Sequence, residues 1–165
     1  MLTKNEEFVF FWSGVFSQWH KSVFFVNGVK YTSAEQFMMA GKAKLFGDTA
    51  TWQKIMATDD PRVIKKLGRE VVNYDDAIWV ENRFHIVLAG SIAKFKQNPD
   101  LLVELMGTGT KTLVEASPKD NIWGIGMAED HPDVGDVTKW QGLNLLGQAL
   151  TCAREVIKAE RFAVT

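Results

Sequence analysis

The sequence predicts an α+β fold: a small β-sheet with a hairpin, covered by several α-helices, in a single domain spanning 1–165. Three observations predict it. An Asn27-Gly28 pair stands between two β-forming runs, the strongest short-range hairpin signal. Helix start and stop residues bracket five stretches of helical character. The 165 residues, 46% of them apolar, suffice for one packed core and leave little for a second.

The elements follow in order. Phe8-Val9-Phe10-Phe11 is aromatic and β-branched and predicts a first strand. Val23 to Val26, the Asn27-Gly28 turn, and Val29 to Tyr31 make the hairpin, because both turn residues must adopt positive φ. Ser33 and Gln36 form a capping-box pattern that opens a helix running to about Phe46 and stopping at Gly47. Asp60-Pro61 opens the next helix, which is expected to end near Gly68. Asp75 or Asp76 begins the longest pattern, with Ile78, Phe84, Val87, Leu88, Ile92 and Phe95 as its apolar stripe. Asn98-Pro99 stops it and starts a short helix through Leu105. Thr112 to Ala116 reads as a strand. Residues 117–141 hold Gly, Pro, Asp and Trp without period, a long loop of the kind that carries function. Leu143 to Ile157 is a closing helix.

Composition excludes several classes. With 19 basic and 20 acidic residues the formal charge is −1, whereas a protein held to nucleic acid by counterion release carries a basic excess. Stable nucleic-acid binding is therefore not expected. One cysteine, Cys152, excludes an intrachain disulfide and a cysteine zinc cluster, and its helical context marks it as a small core residue. His20, His85 and His131 lack ligand spacing, so no metal and no cofactor are expected. No apolar run reaches the ~20 residues of a membrane span. The polar start, Met1 to Glu7, is unlike a signal peptide, and a cytoplasmic location follows by default. Gly124-Ile125-Gly126 lacks the third glycine and following helix of a dinucleotide fingerprint.

Three segments in order resemble the NADAR, or YbiA-like, family from about Phe16 to Glu155. The first is Phe16-Ser17-Gln18-Trp19 followed by Thr32-Ser33-Ala34-Glu35-Gln36-Phe37 and Lys42. The second is Gly68-Arg69, Trp79 and Ala93-Lys94-Phe95. The third is Leu113 to Ser117, Asp120 to Gly126, and Trp140 to Gly147. Ile125, Leu145 and Gln36 depart from the bacterial branch of that family, leaving the substrate open. The resemblance implies hydrolysis of an N-glycosidic bond between ribose and an exocyclic amino nitrogen. The substrate is then a ribosylaminopyrimidine phosphate of early riboflavin synthesis or ADP-ribosylated guanine in nucleic acid. The alternative is a catalytically inactive module that binds ADP-ribose or a nucleotide. A protein whose six tryptophans only fill the core is a third reading.

Such hydrolysis needs an acid for the leaving nitrogen and a carboxylate to activate water or steady the sugar. Glu35, in a first helical turn, is kept ionised by the helix dipole; its plain alternative is a dipole-balancing acid. Lys42 lies two turns on, ~10 Å along the axis and on nearly the same face. It is either a solvated lysine or an amine able to intercept an opened ribose as an imine. Asp120 is the second candidate carboxylate, or an Asx-turn residue. Phe16, Ser17 and Trp19 are expected at the substrate, with core packing the alternative for the two aromatics. Arg69 grips a phosphate or makes a surface ion pair. Trp123 stacks on the base or anchors the core. Gly124 and Gly126 let backbone approach a ligand or form only a turn. Asn144 orients a ribose hydroxyl or caps the last helix.

Overall fold

The computed structural model describes residues 7–164, the side chain of Val164 excepted. The polar start taken as unlike a signal peptide thus lies, apart from Glu7, outside the described residues. The fold is α+β: strands β1 (Phe8–Phe11), β2 (Phe24–Val26), β3 (Val29–Tyr31) and β4 (Thr112–Glu115), with helices α1 (Ala34–Leu45), α2 (Thr49–Met56), α3 (Pro61–Arg69), α4 (Asp76–Gln97), α5 (Pro99–Gly107) and α6 (Leu145–Val164). The expected single sheet is instead two two-stranded sheets, β1 parallel to β4 and β2 antiparallel to β3. The chain divides into two compact units, Gln18–Pro99 and Met1–Ser17 with Asp100–Thr165.

In the Gln18–Pro99 unit the hairpin turns at Asn27 and Gly28, with φ of 53° and 78°. Its apolar face stacks Phe24 on Tyr31, and both rings meet Phe37 of α1 at 5.0–6.0 Å. Ser33 caps α1 by accepting from the Gln36 N–H. The reciprocal half of the capping box is displaced by one residue. Gln36 Oε1 accepts from Thr32 N–H, and Gln36 Nε2 donates to the carbonyls of Ile55 and Thr58, tying α1 to the end of α2. Helices α1 and α4 approach closely through glycine: a Cβ on Gly90 would lie 2.6 Å from the Phe37 ring, and one on Gly41 2.9 Å from Ile86. These pairs set the two helices antiparallel.

Helix α2 was not expected from the sequence. Asp48 starts it, one carboxyl oxygen accepting from Thr51 N–H and the other from Val72 N–H. A hydrogen bond from the Thr51 side chain, and then those from the Val72 and Thr51 N–H groups, hold the carboxyl below its ordinary pKa. Gly68, taken as a helix end, is buried inside α3, where a methyl would collide with the Met39 sulfur. The helix stops one residue later at Arg69.

In the other unit β1 and β4 pair over four residues, and α6 packs on β4. Phe8, Val114, Ile125, Met127 and Val134 form its core cluster, covered by Phe10 and Trp140. The buried Arg154 of α6 donates to Thr108 Oγ1 and the Lys111 carbonyl, pinning the α5–β4 connection. Cys152 is half-buried on α6 rather than in the core. Among the described residues no helix is long and apolar enough to cross a membrane.

Candidate active site

Trp19, Glu35, Lys42 and Arg69 fall in the Gln18–Pro99 unit. Glu35 is in the first turn of α1, its backbone N–H donating to the Gln18 carbonyl. It is only 5% exposed, and Lys and Glu are seldom buried so fully. Two turns later the Lys42 amine sits 4.7 Å from the Tyr74 ring centre and 5.5 Å from that of Trp79. Both rings offer it cation–π contact, and it has no carboxylate partner among the described residues. Burial, and then the nearby charge of Arg69, lower its pKa from the ordinary lysine value. Both effects disfavour the ammonium, so more of the amine is free to act as a nucleophile. Lys44, off this face, lies over Trp52 instead. Arg69 is exposed at the end of α3. Trp19 is 42% exposed, with Lys65 5.9 Å from its ring centre, so it is not a core anchor.

The remaining expected residues, Phe16, Ser17, Asp120, Trp123, Gly124, Gly126 and Asn144, belong to the other unit. Phe16 is half-buried, edge-on to Phe11 at 5.6 Å, and Ser17 N–H donates to the Gly14 carbonyl. Asp120 forms the Asx turn named above as its alternative: Oδ1 accepts from the N–H groups of Ile122 and Trp123. Its other carboxyl oxygen has no donor among the described residues. Segments 121–125 and 141–146 are joined backbone to backbone. The N–H groups of Gln141, Leu143, Asn144, Leu145 and Leu146 donate to carbonyls of Ile125, Asn121, Gly124, Ile122 and Trp123. The glycines serve this joint: a Cβ on Gly124 would lie 2.9 Å from the carbonyls of Asp120 and Glu115. Gly126 takes φ of 71° against Gln141. The close approach they permit is therefore to the chain's own backbone. Asn144 does not cap α6 with its side chain. Its amide accepts from Glu115 N–H and donates to the Leu113 carbonyl, bracing β4.

The chain matches the NADAR domain family over residues 10–158. It is 48% identical over 146 residues to N-glycosidase R617 of Acanthamoeba polyphaga mimivirus, covering 86% of each chain. To the riboflavin biosynthesis protein VVA0006 of Vibrio vulnificus it is 30% identical over 133 residues, 81% of this chain but 32% of that protein. The NMR structure of the E. coli protein YbiA superposes with a TM-score of 0.78 at 25% identity, covering 94% of this chain and 88% of that one. The chain belongs to the NADAR family. The family match runs through both compact units.

Two residues of the segments quoted above, given no role from the sequence, stand out in the structure. Gln18 is buried, and among the described residues its Oε1 has no hydrogen-bond partner, while its Nε2 contacts the Met38 sulfur at 3.5 Å. A buried acceptor left open beside the start of α1 suits a substrate hydroxyl. Lys94 is 1% exposed on α4, and burial pulls its pKa down to about 7. Its signal in the sequence was phase: it lies seven residues after Val87, on the buried stripe of α4. Among the described residues no group of three or more His, Cys, Asp or Glu side chains is placed to hold a metal.

Proposed function

We propose that this NADAR protein is a hydrolase acting on N-glycosyl bonds, which cleaves ribose from an exocyclic amino nitrogen of a base. The observation that carries the reading is the Lys42 amine, seated on two aromatic rings beside Arg69 with its pKa lowered. A relative named as an N-glycosidase and another named for riboflavin biosynthesis support the class. The substrate is ADP-ribosylated guanine in nucleic acid or a ribosylaminopyrimidine phosphate.

In either substrate the glycosidic nitrogen's lone pair can expel the ring oxygen from C1, giving an open-chain imine whose released oxygen takes a proton. The neutral Lys42 amine adds to C1. Proton transfer to the base nitrogen then breaks the C1–N bond, and the base leaves as a free amine. Water adds to the lysine imine, the C1–Lys42 bond breaks, and the sugar departs as an aldehyde that recloses. The net change is addition of one water across the original bond. Glu35 moves the protons. Direct attack of water with Glu35 as base is the competing route. The lowering of the Lys42 pKa supports the imine, because water attack makes no use of an unprotonated amine.

Borohydride added during turnover tests this. The imine route predicts a covalent reduced-sugar adduct on the peptide containing Lys42 rather than Lys44, and an inactive Lys42→Arg variant, since a guanidinium stays protonated. An active Lys42→Arg variant with no trapped adduct leaves water attack. Absence of turnover on both substrate classes leaves the binding-module reading.

A further inference from the structure

The exposed face of α3 is a continuous basic stripe. Arg62, Lys65, Lys66 and Arg69 stand at i, i+3, i+4 and i+7, all exposed, while Ile64 and Gly68 are buried on the other side. No carboxylate among the described residues pairs with the side chains of Arg62, Lys65 or Lys66. Like charges three and four residues apart destabilise a helix by ~0.2–0.5 kcal/mol per pair. Arg62, in the first turn, also opposes the helix dipole. The exposed acids Asp59, Asp60 and Glu70 stand at the two ends of the helix and none lies between Arg62 and Arg69; a bound polyanion would remove the repulsion along the stripe.

The stripe has an aromatic neighbour and a direction. Lys65 reaches over Trp19, an exposed indole, so a flat apolar platform flanks the cations. At the other end, Arg69 is close enough to Lys42 for its charge to act on that amine. From Arg62 to Arg69 the stripe runs ~10 Å along the axis, longer than one phosphate requires. The surrounding unit, Gln18–Pro99, carries twelve basic and eight acidic residues, a net +4 within a chain of net −1.

We propose that the basic face of α3, with Trp19, is a docking track for single-stranded nucleic acid, phosphates lying on the cations and a base on the indole. Basic residues beside a stacking aromatic are the combination that binds single strands without sequence preference. The strand would present a modified base to Lys42; that second step rests on the function proposed above, whereas strand binding itself does not.

The test uses the full chain and an unmodified fluorescein-labelled oligothymidylate about twelve nucleotides long, followed by anisotropy. Saturable binding is expected at about 50 mM salt, weakening toward about 200 mM. The triple variant Arg62→Gln/Lys65→Gln/Lys66→Gln should lose at least about tenfold in affinity. Its log K against log salt slope should fall by about 2, three single-strand phosphate contacts at about 0.7 each. Trp19→Ala should weaken binding roughly five- to hundredfold. No wild-type binding, an unchanged triple variant, or binding to anionic lipid vesicles without binding to the oligonucleotide overturns the track. The triple variant should still hydrolyse a ribosylaminopyrimidine phosphate at the wild-type rate. A protein that hydrolyses this small substrate but binds no strand overturns the track alone. One that binds strands through the stripe yet hydrolyses neither substrate overturns the proposed function alone.

Discussion

Residues Gln18–Pro99 hold twelve basic and eight acidic side chains, whereas the remainder holds seven and twelve, so net charges of +4 and −5 sum to −1. The two units also use their polar groups differently. In the first, charge is held where it is costly: Glu35 nearly buried, Lys42 with a lowered pKa, Lys94 buried with its pKa brought down to about 7. In the second, the candidate polar groups are tied to backbone. Asp120 makes a turn, Asn144 braces β4, and Gly124 and Gly126 admit neighbouring backbone of the chain. Perturbed ionisable groups are common where chemistry occurs, and the residues of the proposed proton and amine chemistry, Glu35 and Lys42, both belong to the first unit.

The largest expected effect tests the chemical half of that contrast. Glu35→Gln should lower turnover ~10²–10⁴-fold, the usual loss on removing one proton-transfer group, with the thermal midpoint nearly unchanged. Near-wild-type turnover would move the proton chemistry elsewhere. Asn144→Ala tests the scaffolding half. It removes both hydrogen bonds to β4 and places alanine at a φ of 53°. A destabilisation of about 2–4 kcal/mol is expected in denaturant titration, with turnover per folded molecule retained. Lost turnover at full stability would instead make Asn144 a substrate contact.

A third test concerns charge held inside the first unit. Lys94 titrates near 7 when folded and near the ordinary lysine value of ~10.4 when unfolded. Between those values the unfolded chain binds a proton that the folded chain does not, so this group makes stability rise with pH across that window and leaves it lowest below 7. Melts of wild type and Lys94→Met at several pH values should show the variant's advantage greatest below pH 7 and shrinking as pH rises. The opposite trend would mean that the fold stabilises the charged amine. The smallest effect belongs to Arg69→Gln. Removing that cation raises the Lys42 pKa, so the alkaline-rising limb of kcat/KM should move to higher pH. An unmoved limb would separate Arg69 from the amine.

Much of the first unit was legible along the chain. Asn27-Gly28, Ser33, Asp60-Pro61 and Asp75 are local signals, and the hairpin, α1, α3 and α4 begin where they stand. Helix α2 escaped because eight residues containing two threonines carry little periodicity, and its start depends on Asp48 reaching both Thr51 and the distant Val72. Gly68 read as a stop because a helical glycine ordinarily costs stability; the close packing of Met39 against it is a contact across 29 positions. In the second unit β1 and β4 were each legible, but their pairing was not, since register across a hundred residues leaves no local mark. Among the candidate residues, the placement of Glu35 and Lys42 on one helix was legible. The alternatives left open for Asp120, Asn144 and the glycines needed the joint between 121–125 and 141–146.

By itself the sequence determined the fold class, most element boundaries and the family resemblance, because turns, caps and helical phase depend on neighbours a few positions apart. It also set the total charge, from which strand binding was not expected. Only the tertiary structure decided how that charge divides between two units, which ionisable groups lose water, and that Arg69 stands near Lys42. Desolvation and Coulomb interaction act through space, and space is assigned only when distant segments meet.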